Sequence, residues 1–237
     1  MIETNKRALR IGIIALIVGL CASSSYADLY WETESVSTNV PHQSDGTTIQ
    51  RYYFTPHASR VELGGIKIYI VNYNTMELYT LDTKAKTWAE LNLGEQLVIV
   101  DGAADKKKMS EMLVLGAMMA IRITPTNELK TIAGYRCRKY DVHLGIIKGE
   151  YWVSEEVRCY QELRTLGAKV GAAAERYPIL KQIDVAGMVK KLGGFPVYTV
   201  NHVMGGTVES TLRKVEQKSL DPKLFVVPKE YKMKKGG

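Results

Sequence analysis

Cysteine and histidine are scarce in this chain: 237 residues carry three and four of them, respectively. No G-x-S-x-G elbow, H-E-x-x-H helix, phosphate-cradling glycine loop or C-x-x-C pair occurs. His42, His57, His143 and His202 stand singly, far from the short Cys/His spacings that a zinc site needs. Carboxylate pairs exist at Glu32/Glu34 and Glu155/Glu156, and exposed strand positions account for them without chemistry. The expectation is therefore a protein that is not an enzyme, with no catalytic residues, no metal and no cofactor. Long apolar runs are also missing. The longest, Ile11 to Leu20, falls well short of the ~20 residues that a membrane-spanning helix needs.

What is present first fixes a compartment. Lys6, Arg7 and Arg10 precede that apolar run, and the small-residue stretch "CASSSYA" follows it, which is the layout of a secretory signal peptide. Ser25 and Ala27 supply the small residues of a cleavage site, so residues 1–27 read as a signal peptide and 28–237 as one exported domain. The implied location is periplasmic or secreted, with no transmembrane segment after cleavage. The alternative is a lipoprotein anchored through Cys21, against which Leu20 argues because a small residue is wanted directly before such a cysteine. The whole chain has 32 basic and 25 acidic residues; removing Lys6, Arg7, Arg10 and Glu3 leaves a surplus of about 5. That surplus is spread along the sequence, whereas nucleic-acid binding favours a clustered basic face, so no nucleic-acid partner is expected.

Export leaves Cys137 and Cys159 in an oxidising compartment, where a pair reads first as a disulfide. The residues between them look like a β-hairpin, with "YDV" and "YWV" as strand cores and Gly145 to Gly149 as the turn. A turn centred near Lys148 would set the two cysteines opposite each other. Closing that loop would stabilise by roughly 3 kcal/mol in the chain-entropy model.

Six segments of the first third, "LYWETESVS", "TTIQRYYFTP", "SRVELG", "IKIYIVNY", "MELYTLD" and "KTWAELNL", alternate apolar and polar residues between turn signals. They predict an antiparallel meander. Tyr69, Tyr79 and Trp88 recur once per strand, either lining an apolar cavity or pairing across strands in the core. The period then changes. "ADKKKMSEMLVLGAMMAIR" places Met109, Met112, Leu113 and Met119 on one face of a helix, with Lys106 to Lys108 in its first turn. Its methionines suit core packing and also surfaces that accept irregular apolar ligands. A broken pair of helices follows the cysteine hairpin and stops at Gly193-Gly194; "FPVYTVNHV" and "TVESTLRKVEQKSL" return to strand around Gly205-Gly206.

"KTIAGYRCRKYDV", "YWVSEEV", "GGFPVY" and "SLDPKLFVVPKEYKMKK" together resemble a bacterial family of domains of unknown function, DUF family 4412, related to the LolA-like lipoprotein-carrier superfold. The resemblance covers essentially all of residues 28–237 and is strongest from residue 129 onward. It implies an α+β fold: a strongly curved antiparallel β-sheet, or half-barrel, whose concave face is covered by helices. It also implies an exported, non-catalytic binding protein for acyl chains, lipoproteins or another apolar ligand. The alternative function is an envelope protein-interaction or sensor module with a self-filled core. For the first function the ligand-cavity candidates are Tyr69, Tyr79, Trp88, Met109, Met112, Leu113 and Met119.

Overall fold

The structure, a computed structural model, describes residues 28–41, 43–92, 121–144, 147–175 and 185–234. The signal-peptide reading, Cys21 and the stripe of Met109, Met112, Leu113 and Met119 lie outside these residues.

Alternation of β-branched and aromatic residues with polar ones builds the six expected strands: β1 (Leu29–Thr38), β2 (Gly46–Phe54), β3 (Ala58–Leu63), β4 (Lys67–Asn72), β5 (Glu77–Asp82) and β6 (Thr87–Asn92). Each pairs antiparallel with the next. A second run contains β7 (Ile121–Ile132), β8 (Tyr135–Leu144), β9 (Ile147–Ser154), β10 (Phe195–Val203) and β11 (Gly206–Gln217). It joins the first where β11 pairs with β1. The short strand β12 (Lys232–Met233) adds to β6 in parallel. The result is a 12-stranded sheet in the order β12-β6-β5-β4-β3-β2-β1-β11-β10-β9-β8-β7, antiparallel but for β12, and open because β12 and β7 end it. Two helices, α1 (Tyr160–Ala174) and α2 (Val185–Leu192), leave the sheet after β9 and return to it at β10. The fold is thus α+β, with helices over one face of an antiparallel sheet, and α2 stops at Gly193 as expected.

The structure departs from or refines the sequence reading at three places. The methionine-rich segment reads as helix to Arg122, yet Ile121 and Arg122 already pair with Leu144 and His143 as the start of β7. "KTIAGYRCRKYDV" spans the end of β7 and most of β8. Ala133 and Gly134, at φ 50° and 84°, make a two-residue turn between β7 and β8, the backbone that the right-handed twist of a hairpin favours. The third concerns the cysteines. β8 and β9 pair as Leu144 with Ile147 and Arg138 with Val153, which places Lys148 inside β9, opposite His143. That register puts the end of β9 alongside Cys137 and leaves Cys159 beyond the ladder, at the N-cap of α1. The expected disulfide is not formed: both cysteines are free and buried, in the same hydrophobic cluster.

The core divides between the two faces. Leu29, Phe195, Val197 and Leu212 pack with Tyr160 and Leu166 of α1, while Val142, Tyr151 and Val153 pack with Leu192 and Met188 of α2. On the opposite face of the meander, Ile68, Ile70 and Leu81 are covered by Phe225, Val227 and Tyr231 of the C-terminal segment. That segment is held by the Asp221 carboxylate, which accepts from the Lys223 amide, and by Arg60, whose guanidinium donates to the Leu224 carbonyl at 3.0 Å.

Candidate functional site

Alternation along β1 gives the site its chemistry. Trp31, Thr33, Ser35 and Ser37 face one side and Tyr30, Glu32 and Glu34 the other, so an aromatic residue and then three small hydroxyl residues lie under the helices. Pairing brings Trp31 beside Tyr52, Thr33 beside Gln50 and Leu212, and Ser35 beside Ser210. Where α1 and α2 stand over this face, a cavity of about 400 Å³ remains.

Its walls differ from end to end. Trp31, Leu163, Met188, Val189, Leu192, Phe195 and Val197 form the apolar part. Trp31 is locked there, stacked on Tyr52 at 4.7 Å and on Phe54 at 4.9 Å, with Phe195 edge-on at 5.6 Å. Thr33, Gln50, Thr199, Asn201 and Ser210 supply hydroxyls and amides, and among the described residues the lining contains no charged side chain. The Ser35 and Ser210 hydroxyls bond each other at 2.7 Å, and the Tyr52 hydroxyl donates to Gln50 Oε1 at 2.6 Å. Gly149 matters at this end: a Cβ there would come within 2.7 Å of Asn201 Oδ1 and 2.9 Å of the Val200 carbonyl, so only glycine lets the Asn201 amide lie over β9. Burial pushes the Tyr52 and Tyr151 hydroxyl pKa values up, with Thr33 and Asn201 respectively pulling weakly the other way.

Leu192 and Gly193 separate this cavity from a second recess of about 450 Å³, which is charged with both signs by Arg136, Arg138, Glu155 and Glu156. The Glu156 carboxylate there accepts from the Arg136 amide at 3.2 Å.

The structure disperses the aromatic residues singled out in the sequence. Tyr69 shares the face of Tyr52, through Val61, but lies two strands beyond the cavity. Tyr79 and Trp88 occupy the opposite face, 5.8 Å apart, packed on the Ile68, Ile70 and Leu81 cluster, so they act there as core partners. The carboxylates of Glu32 and Glu34 are engaged by Arg51 and Arg213. The lining that sequence reasoning missed comes from β1, β2 and the two helices. One signal was available: in "LYWETESVS" the face bearing Leu29 and Trp31 carries only small hydroxyl residues after them, which leave space.

Residues 36–231 match the family model described as domain of unknown function (DUF4412). The chain belongs to this family. Among solved structures, PNGF-II superposes on 87% of this chain and 30% of its own, at 13% identity and a TM-score of 0.39. The LolA superfamily protein NE2245 from Nitrosomonas europaea matches 85% of this chain and 90% of its own, at 8% identity and a TM-score of 0.32. LprF from Mycobacterium bovis matches 88% and 92%, at 10% identity and a TM-score of 0.34. This DUF4412 chain therefore spans less than a third of the PNGF-II chain it matches. No curated protein matches it.

Proposed function

We propose that this DUF4412 protein is an exported, non-catalytic binder of an apolar molecule, an acyl chain being the simplest fit, held between α1, α2 and the sheet. One observation carries the reading: a cavity of about 400 Å³ with aromatic and aliphatic walls and, among the described residues, no charged side chain in its lining. That volume lies at the lower end of the ~300–1,000 Å³ of small-molecule sites, which suits one chain better than several. Met188 adds an adaptable wall, as methionine does where ligand shape varies. The signal-peptide reading of residues 1–27 supports export, and among the described residues no helix is long and apolar enough to cross a membrane.

Mass spectrometry of an organic extract from protein purified without detergent, out of cells that export it, tests the proposal. A stoichiometric apolar ligand is expected. Protein that is repeatedly empty and does not bind apolar probes would favour an envelope-interaction module instead. One observation favours that second reading: β7 ends the sheet among the described strands and presents Leu129 at 53% exposure, an edge that another chain could extend.

A further inference from the structure

The turns at one end of the sheet form a continuous rim, and the strand register traces it. Arg122, His143, Lys148 and His202 stand opposite one another across β7 to β10, with the Met204-Gly205 turn just beyond His202. Thr207 at the start of β11 meets Thr38, the last residue of β1, and Ser37 pairs with Gly46, the first of β2. A Cβ on Gly64 would lie 3.1 Å from Thr48 Cγ2, so the β3–β4 turn sits beside the start of β2. The Thr83 amide donates to the Ile66 carbonyl at 3.0 Å, which ties the β5–β6 turn to it, and the Lys232 amide donates to the Lys86 carbonyl at 2.9 Å.

Two kinds of side chain are exposed along this rim. Met204 is 76% exposed and Ile66 46%, and Val36 and Met233 are exposed with them. Interspersed with these apolar tips are Lys84, Lys86, Arg122, Lys148, His202 and Lys232, all exposed. The rim carboxylates are engaged locally: Asp82 accepts from Lys67 and from the amides of its own turn, and Asp45 accepts from the Asn39 amide. Apolar tips flanked by cations suit the boundary between the headgroups and acyl chains of an anionic bilayer, where the tips are buried while the ammonium groups stay among phosphates. A fluid surface can meet tips spread over several turns, whereas a folded partner would need a matching row of pockets. We propose that this rim is a membrane-docking surface, which seats the mature protein on a bilayer containing anionic lipid. The proposal stands independently of what the cavity holds. Asn201 and Val208 of the cavity lining pair in the row next to His202 and Thr207, so docking would bring the hydroxyl end of the cavity toward the bilayer.

Flotation of the full mature chain with vesicles tests the proposal. Vesicles of equal parts phosphatidylglycerol and phosphatidylcholine should bind the chain at least about tenfold tighter than phosphatidylcholine alone, with the difference shrinking as salt is raised. Each basic residue near an anionic surface contributes about fivefold, so Lys84→Glu combined with Lys148→Glu should weaken that binding at least about tenfold. Met204→Asn should weaken it about threefold or more without altering charge, and asparagine tolerates the φ of 47° at this turn position. All three positions are exposed, so the denaturant midpoints of both variants should match the wild type. Equal binding to the two vesicle compositions, or binding to neither, would overturn the proposal. Wild-type affinity in the double charge variant would overturn it by placing the contact elsewhere, and wild-type affinity in Met204→Asn would reduce the contact to adsorption without insertion. A chain that ignores phosphatidylglycerol vesicles but binds polyglutamate through Lys84 and Lys148 would reassign the rim to an acidic protein.

Discussion

Trp31 and Trp88 lie on opposite faces of one sheet: Trp31 stacks on Tyr52 and Phe54 at the wall of a cavity, while Trp88 packs beside Tyr79 on the Ile68, Ile70 and Leu81 cluster. The difference is in what covers each face. Over Ile68, Ile70 and Leu81, the C-terminal segment lays Phe225, Val227 and Tyr231 onto the strands, and Ile70 and Leu81 reach 0% exposure. Over β1 and β11, Leu163, Met188 and Val189 of the helices face Trp31 and Phe195 across the cavity, while Thr33 and Ser210 are too short to fill the space between. A sheet face becomes a container when side chains of unequal size lie under a cover that cannot follow them down. A cover that can follow makes ordinary core.

The largest effects should appear where the face is filled. Ile70→Ala is expected to cost about 2–5 kcal/mol, through lost transfer energy and a cavity that the paired strands cannot close. Ile70→Asp should cost more, because a carboxylate would be buried with no counter-charge. Denaturant unfolding measures both, and binding of apolar probes by the folded fraction of Ile70→Ala should stay at the wild-type level. A loss of binding in that variant would show that the two faces act together and break the contrast.

On the open face the converse holds. Met188→Trp puts a larger ring into existing space, so its stability should change by less than about 1.5 kcal/mol while probe affinity falls at least about tenfold. Unaltered affinity would show that the space beside Met188 is not where the ligand sits.

This division was partly legible in the sequence. Period-2 alternation located β1 to β6 and the β10–β11 hairpin because each strand has one wetter face, and Gly193 marked the end of the helix pair because few residues can terminate a helix so abruptly. Which face would be hollow was not legible. Tyr79 and Trp88 have the same spacing whether they line a cavity or meet the C-terminal segment, and Phe225 lies over a hundred residues away in sequence. The hairpin between Cys137 and Cys159 failed for a related reason. Two glycines, Gly145 and Gly149, offered a turn, and the pairing of Val142 with Gly149 puts the second inside the ladder, which excludes a centre at Lys148.

The cysteines sharpen the comparison chemically. Burial is the main cause that pushes both thiol pKa values up, and the Cys137 thiol donates weakly to the Tyr135 carbonyl at 3.4 Å. In protein isolated without reductant, two thiols per chain should resist alkylation when folded and react fully in denaturant. No reactive thiol after unfolding would mean that the pair had oxidised, with α1 repositioned relative to β8 at the border of the container.

The smallest effect belongs to the filled half, at the turn between β5 and β6. The Asp82 carboxyl pKa is lowered to about 2, first by the Ala85 amide, which donates to Oδ1 at 2.9 Å, and next by Lys67, whose Nζ lies 2.8 Å from Oδ2. Because the folded pKa lies below the unfolded value of about 3.9, the contribution of this carboxylate is fully present above that value and is lost as pH falls toward 2. Asp82 is exposed, so the loss should be slight and local, read as carboxyl chemical shifts through an acid titration. Lys67→Met should raise the Asp82 pKa only part of the way to its ordinary value, since the amide bonds of the turn remain. A return to the ordinary value would show that the ion pair, and not the backbone of the turn, holds this corner of the meander. Down to about pH 4 the same titration should leave apolar-probe binding unchanged, because among the described residues the container's lining has no charged side chain to protonate.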